Sequence, residues 1–324
     1  MLWSLKRFVR YRVFIILAAT LIVAAFVVPG FLRLNTLALG LDRGASIGLI
    51  AIGMTVLLIA RQIDLSVGSI FGLCGIISVM LQPTLGVLPA AFVGVLAGAV
   101  LGAINGLLTV VFRINSLVAT LATMLAFRAI AHWLTESQPV PGTDIMLSIT
   151  LSNVYLEIFT LRSILFVGLI LCLHAWLTLT VAGRNLFAVG SNPEAATASG
   201  ISPDFTVFLS FIFAGFLAGL AGALQSLTTN TGSPMFGSEI LVVIIAAVVV
   251  GGTRIEGGKG SALGTLGGIL TITALTTAME FQSIPAYVQQ VVMGSILILL
   301  VVLDRTIRPE AHARAKTSTQ QKMP

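Results

Sequence analysis

A chain of 324 residues in which 57% are hydrophobic and 9% charged is not a water-soluble globule, where about 25% of residues carry charge. Its mean hydropathy of +1.05 comes from many stretches near the ~20 apolar residues that a spanning helix needs. A membrane β-barrel is excluded as well, because short segments of alternating polarity do not occur.

In chain order, the apolar segments predict spanning helices near 13–32, 45–60, 67–82, 85–112, 117–134, 164–181, 205–227, 239–252, 262–279 and 286–303. The fold class is therefore an all-α polytopic bundle of ten helices with an internal repeat. The first segment is too long for a signal peptide and lacks a cleavage-like site. Cys74 and Cys172 fall inside apolar segments and read as small packing residues, with no disulfide, metal or redox role.

Charge orients the bundle. With the N-terminus placed in the cytoplasm, one side collects Lys6, Arg7, Arg10, Arg12, Arg61, Arg113, Arg184, Arg254, Lys259, Arg305, Arg308, Arg314, Lys316 and Lys322. The other side keeps Arg33, Arg43 and Arg162, so the bias is 14 to 3, and both termini are expected to be cytoplasmic. The net charge of +6 thus follows the membrane and gives no nucleic-acid signal. The expected domains are a transmembrane unit over 1–308 and a disordered cytoplasmic tail over 309–324. The acids, Asp42 included, are expected at or outside helix ends, which disfavours a proton- or sodium-driven carrier. Arg128 alone sits inside a helix, where it either snorkels or pairs with an acid.

Two segments echo one another: Ile63-Asp64-Leu-Ser66-Val-Gly68-Ser69 and Ile255-Glu256-Gly-Gly-Lys-Gly260-Ser261, both continuing with glycine at three-residue steps. Each follows a short apolar helix and an arginine, and each opens another helix. A carboxylate at a helix start complements the helix dipole, and the glycines allow close helix approach. Asp64, Ser66, Gly68, Ser69, Glu256, Gly260 and Ser261 are accordingly either tight capped turns or hinges beside a pathway. Gly252–Gly260 is no phosphate loop, because its first glycine is misplaced and Gly260 stands where Ser or Thr would hold magnesium. No catalytic or metal-binding constellation is expected: His132 and His174 lie in different predicted helices, and His312 lies in the tail. Asn105, Asn115, Ser116, Thr120, Thr123 and Phe127 could line a path for a neutral polar solute, or could simply bond neighbouring helices.

The longest polar interruption on the cytoplasmic side is 183–204. Asn192, Pro193 and Glu194 open a short helix, Ala195 and Ala196 give it a small face, and Gly200 fits a left-handed stop. With Gly190, these residues either form a docking surface or an ordinary capped surface helix.

Taken together, I-D-L-S-V-G-S at 63–69, N-G at 105–106, N-S-L-V-A-T-L-A-T-M at 115–124, G-R-N-L-F-A-V-G-S-N-P-E-A-A-T-A-S-G-I at 183–201 and G-G-T-R-I-E-G-G-K-G-S-A-L-G-T-L-G-G at 251–268 resemble the inner-membrane permeases of ribose-type sugar ABC importers. The likeness covers nearly the whole chain. It implies transport of a small neutral sugar across the bacterial inner membrane, without a cofactor in this chain, since ATP and magnesium bind partner subunits. It further implies a second permease copy, ATP-binding subunits that push on Gly190, Asn192, Pro193, Glu194, Ala195, Ala196 and Gly200, a periplasmic solute-binding protein, and a bilayer around the bundle. A permease for a branched-chain amino acid or other small solute is the alternative within transport. A membrane scaffold or an intramembrane enzyme is the alternative outside it.

Overall fold

The computed structural model describes the backbone of residues 2–307 and the side chains of residues 13–299 and 302; the expected tail over 309–324 lies outside them. Backbone polar groups in lipid must be satisfied internally, so each long apolar run becomes a helix. In order these are α1 (Leu2–Val27), α2 (Leu34–Ile59), α3 (Val67–Met80), the short α4 (Gln82–Leu85), α5 (Val87–Val110) and α6 (Ser116–Leu134). A strand β1 (Val140–Pro141) and α7 (Ile145–Leu151) precede α8 (Leu161–Leu179). Then come α9 (Val181–Ser191), α10 (Pro193–Ala198), α11 (Pro203–Thr228), β2 (Thr231–Gly232), α12 (Ile240–Val250), α13 (Ala262–Phe281) and α14 (Ala286–Ile307). Six of them, α2, α5, α6, α8, α11 and α13, are long and apolar enough to cross a membrane, and four shorter apolar helices accompany them.

The segment expected to begin at 45 starts instead at Leu34. Asp42 and Arg43 therefore lie inside a helix, not beyond its end. Helix α2 is also the core of the bundle, buried almost continuously from Gly44 to Ile59 and packed by α8, α11, α12 and α13. The closest crossing joins α5 to α11. Gly94, Gly98, Gly102 and Gly106 recur every four residues on α5 and form a flat ridge. A Cβ at Gly98 would lie 2.5 Å from the carbonyl of Gly215, and one at Gly102 would overlap that of Phe211.

Between α11 and α12 the chain does not turn at the surface. Strand β2 pairs antiparallel with β1, and the chain then descends beside α3. Gly232 sits against Ile76, the Phe236 carbonyl against Gly72 and the Gly237 carbonyl against Gly68. The segment has already run along α3 from Ile76 to Gly68 before α12 starts, and α12 itself has only 11 residues. Non-helical backbone at such depth survives only where protein satisfies it. Arg128 does so: one guanidinium nitrogen donates to the carbonyls of Pro234 and Phe236 at 2.8 and 2.9 Å. Neither expected role of Arg128, snorkelling or pairing with an acid, is what the side chain does.

The bundle has two distinct ends. At one, Gln282 donates to the Val27 carbonyl at 2.8 Å, Gln82 accepts from the Thr143 amide at 2.8 Å, and Arg43 pairs with Glu280. At the other lie the turns 60–66, 111–115 and 251–261 together with α9 and α10, and there Arg113 pairs with Asp204 at 2.8 Å.

Candidate functional site

Besides the short helix expected after Asn192, which forms as α10, the polar stretch holds a second helix, α9, end to end with it. The Thr180 hydroxyl accepts from the Gly183 amide at 3.0 Å and starts α9. Asn192 then caps α10, its side-chain oxygen accepting from the Ala195 amide at 3.0 Å, with Pro193 at the first helical position. Glu194 is exposed in the first turn and Ala195 beside it is exposed too, while Ala196 faces inward at 3% exposure. At the far end Gly200 has φ +78°, its amide reaches Thr197, and the Ile201 amide reaches Ala196 at 3.0 Å. These are the paired bonds of a Schellman stop, which needs a residue tolerant of the left-handed region.

The α9–α10 junction rests on two other segments. Gly190 lies against the Ile59 carbonyl so closely that a Cβ would overlap it. The same carbonyl accepts from the Gly258 amide at 2.9 Å. A Cβ at Gly257 would fall 2.9 Å from the Gly190 carbonyl, and one at Gly258 would overlap Ser191. The end of α2, the junction and the 251–261 turn thus meet backbone to backbone, with no flexible side chain between them.

Of the residues named as a hinge or a path, Asp64 and Ser66 meet Asn105, Thr120 and Thr123 nearby. Asp64, fully buried, accepts from the Ser66 amide and hydroxyl, both at 2.7 Å. Asn105 donates to Asp64 at 3.2 Å and to Ser66 at 2.7 Å, and its carbonyl oxygen accepts from Thr123 at 2.7 Å. Thr120 takes the Leu65 amide at 3.0 Å, and Ser69 donates to the Met124 carbonyl at 2.9 Å. Burial pushes the Asp64 carboxyl pKa up, against the lowering effect of these Ser66 and Asn105 bonds. The network clamps the 60–66 turn onto α5 and α6. Asn115 instead caps α6, with the Leu117 amide at 2.9 Å; the Ser116 carbonyl accepts from Thr120 at 2.7 Å; and Phe127 packs in the hydrophobic core.

The second copy of the motif is not equivalent. Glu256 is exposed, and among the described residues it has no hydrogen-bond or ion-pair partner. It stands six residues before α13, so it does not complement that helix start as expected. Ser261 caps the helix, accepting from the Gly264 amide at 3.2 Å, and Gly260 packs on Ile59.

Sequence reasoning missed a charged centre at the opposite end. Arg162, the second residue of α8, is 8% exposed and pairs with Asp42, its Nε donating to the carboxylate at 3.1 Å. Thr160 donates to the same carboxylate. Arg162 also reaches the Gln225 side-chain oxygen at 2.9 Å and Ser46 at 3.3 Å. Starting α2 at the apolar run hid Asp42, and no local signal links it to a partner 120 residues away. Among the described residues, no three His, Cys, Asp or Glu side chains cluster as metal ligands.

The sequence is similar to those of transport permeases. The chain is 31% identical over 305 residues to the ribose import permease protein of Haemophilus influenzae, covering 91% of this chain and 93% of that one. It is 35% identical over 291 residues to the ribose import permease protein of Bacillus subtilis, covering 88% and 89%. It is 32% identical over 305 residues to the D-allose transport system permease protein of Escherichia coli, covering 92% of each. No solved structure matches. The chain is a multi-pass permease of the bacterial inner membrane. Residues 36–301, which carry both polar centres and the α9–α10 junction, match the family model described as the permease component of the branched-chain amino acid transport system, and the chain belongs to that family.

Proposed function

We propose that this chain is the membrane-spanning subunit of an ABC importer that passes a small neutral sugar, driven by ATP-binding partner subunits. The relatives named for ribose and allose support the solute class. In this reading the ten apolar helices all span, both termini are cytoplasmic, and α9 and α10 lie on the cytoplasmic face. The end carrying β1, β2 and α7 then faces a periplasmic solute-binding protein. A second permease copy completes the pathway, and ATP and magnesium stay on the partners. The echo of 63–69 in 255–261 is read as a duplication.

The observation that carries the proposal is the three-way backbone contact of Gly190, Ile59 and Gly258 behind α10. A partner that pushes on exposed Glu194 and Ala195 moves a capped helix with no slack behind it. The push reaches α2 at Ile59, and through the 60–66 turn it reaches the Asp64 network on α5 and α6. The other face of the junction bears on the turn that leads into α13.

Gly200→Val and Glu194→Lys test this. A Cβ at Gly200 meets nothing within 4 Å, so valine there acts through φ alone, at roughly 1–2 kcal/mol. Lysine at Glu194 reverses the charge at both the helix dipole and the docking surface. Both variants should insert at normal levels yet lose uptake, with ATP hydrolysis in the assembled complex no longer responding to the binding protein. Normal uptake by both would reduce α10 to a connector.

A further inference from the structure

Helix α8 packs on α2 and α13, and α11 packs on α2, α3 and α5. A cavity of about 650 Å³ lies between α8 and α11. Ile52 and Val56 of α2 form its back wall, and Ala182, Asn185 and Leu186 of α9 close one end. Its mouth is lined by Cys172 and Trp176 of α8 and by Phe205, Leu209 and Phe213 of α11, all of them exposed.

The dimensions select an occupant. Along α11 the lining runs from Phe205 to Phe216, about 16 Å at ~1.5 Å per residue. That is the depth of one leaflet, half of a hydrocarbon core roughly 30 Å thick. Spread over this length, the volume gives a slot about 7 Å across, narrower than the ~10–12 Å of a helix with its side chains. A helix of a second copy cannot enter it, whereas an extended hydrocarbon chain can.

The lining is also polarised along the slot. Toward Phe216 it is apolar, with Ile52, Ala99, Leu169 and Ile212. At the α9 end stands Asn185, half-buried, whose side-chain amide has no hydrogen-bond partner among the described residues. Arg184 beside it in sequence is exposed and has no acid partner among them, and Asp204 is already held by Arg113. Trp176 at this end suits the boundary between lipid and water. An apolar slot one leaflet deep, with hydrogen-bonding capacity and an unmatched cation at its end, fits a lipid with an anionic head.

We propose that this cavity binds one anionic phospholipid, with an acyl chain between α8 and α11 and its phosphate at Asn185 and Arg184. The lipid comes from the leaflet that α9 faces, which is the cytoplasmic one in the orientation read above; the site itself does not depend on that orientation. The chain lies against Ile52 and Val56, about one to two helical turns before Ile59, the residue on which the α9–α10 junction bears.

Full-length permease in detergent is incubated with phosphatidylglycerol or phosphatidylethanolamine carrying a photoreactive diazirine near the end of one acyl chain. After irradiation the adducts are mapped by peptide mass spectrometry, and the melting temperature and monomer–dimer ratio of each variant are measured alongside. Phosphatidylglycerol should label the region of Ile52, Ile212 and Phe216 several-fold more than phosphatidylethanolamine does. Filling the slot from either wall, with Cys172→Trp or Leu209→Trp, should cut that labelling several-fold at an unchanged melting temperature, whereas Cys172→Ser should leave it as it was. Arg184→Gln should bring the two lipids level. Labelling that survives both tryptophans would overturn the chain site, and equal labelling of the unmodified permease by the two lipids would overturn the headgroup assignment. Absence of labelling there would overturn the proposal whichever way the chain faces the membrane, and if either tryptophan then splits a dimer, the cavity belongs to the contact with a second copy.

Discussion

The turns 60–66 and 251–261 share a sequence pattern and an end of the bundle, yet they are built from different chemistry. The first is held by side chains: Asp64 is fully enclosed and bonded to Ser66 and Asn105, and the Leu65 amide is held by Thr120. The second is held by backbone, through Gly257 and Gly258 in the left-handed region and the Gly258 amide on Ile59. Its acid points away. A shared motif therefore marks a shared chain path, while burial decides whether the carboxylate matters. The turn clamped by side chains grips α5 and α6, whereas the turn clamped by backbone touches the α9–α10 junction.

Substitutions can break that contrast. Asp64→Ala should have the largest effect, because it strands the Ser66 and Asn105 donors in the interior at about 3 kcal/mol. The expected result is a large drop in the melting temperature of detergent-solubilised protein; an unchanged melting temperature would mean that the network is incidental. Gly258→Val comes next. Strain at its positive φ adds roughly 1–2 kcal/mol, and its side chain runs into Ser191, so the junction should shift and uptake should fall more than stability does. Equal loss of both would argue against a mechanical role. At the small end, Ser261→Ala should cost about 1 kcal/mol as a lost helix cap, while Glu256→Ala should stay within about 0.5 kcal/mol as a surface change. Thermal unfolding of the pair reads the difference directly, and a Glu256→Ala loss matching that of Asp64→Ala would erase the distinction between the turns.

What the sequence revealed follows the range of the forces involved. The α10 caps were legible because Asn192, Pro193 and Gly200 act on backbone within a few residues. The positions of the apolar helices were legible because hydropathy is a local sum. The start of α2 was not, since Leu34–Leu41 continues a helix that two charges had seemed to end. Those charges are tolerated only because Arg162 and Glu280 come from distant helices. The role of Arg128 was hidden for another reason: its partners are carbonyl oxygens, and every residue has one. Asn105 and Asp64 were each singled out, but their meeting depends on how α5 packs beside α3, which no spacing encodes.

The tether from Arg128 to Pro234 also has a meaning in time. The partner carbonyl is made 106 residues after the arginine. At about 5–20 residues per second, synthesis leaves the guanidinium waiting for ~5–20 s. Throughout that interval α6 carries a charge whose insertion near a helix centre costs about 2.5–3.5 kcal/mol. The leucine, alanine and methionine around it must carry the helix into lipid alone. Only when the ribosome has delivered the descending segment does the charge gain its acceptors, so this part of the bundle is completed late by a residue that entered early.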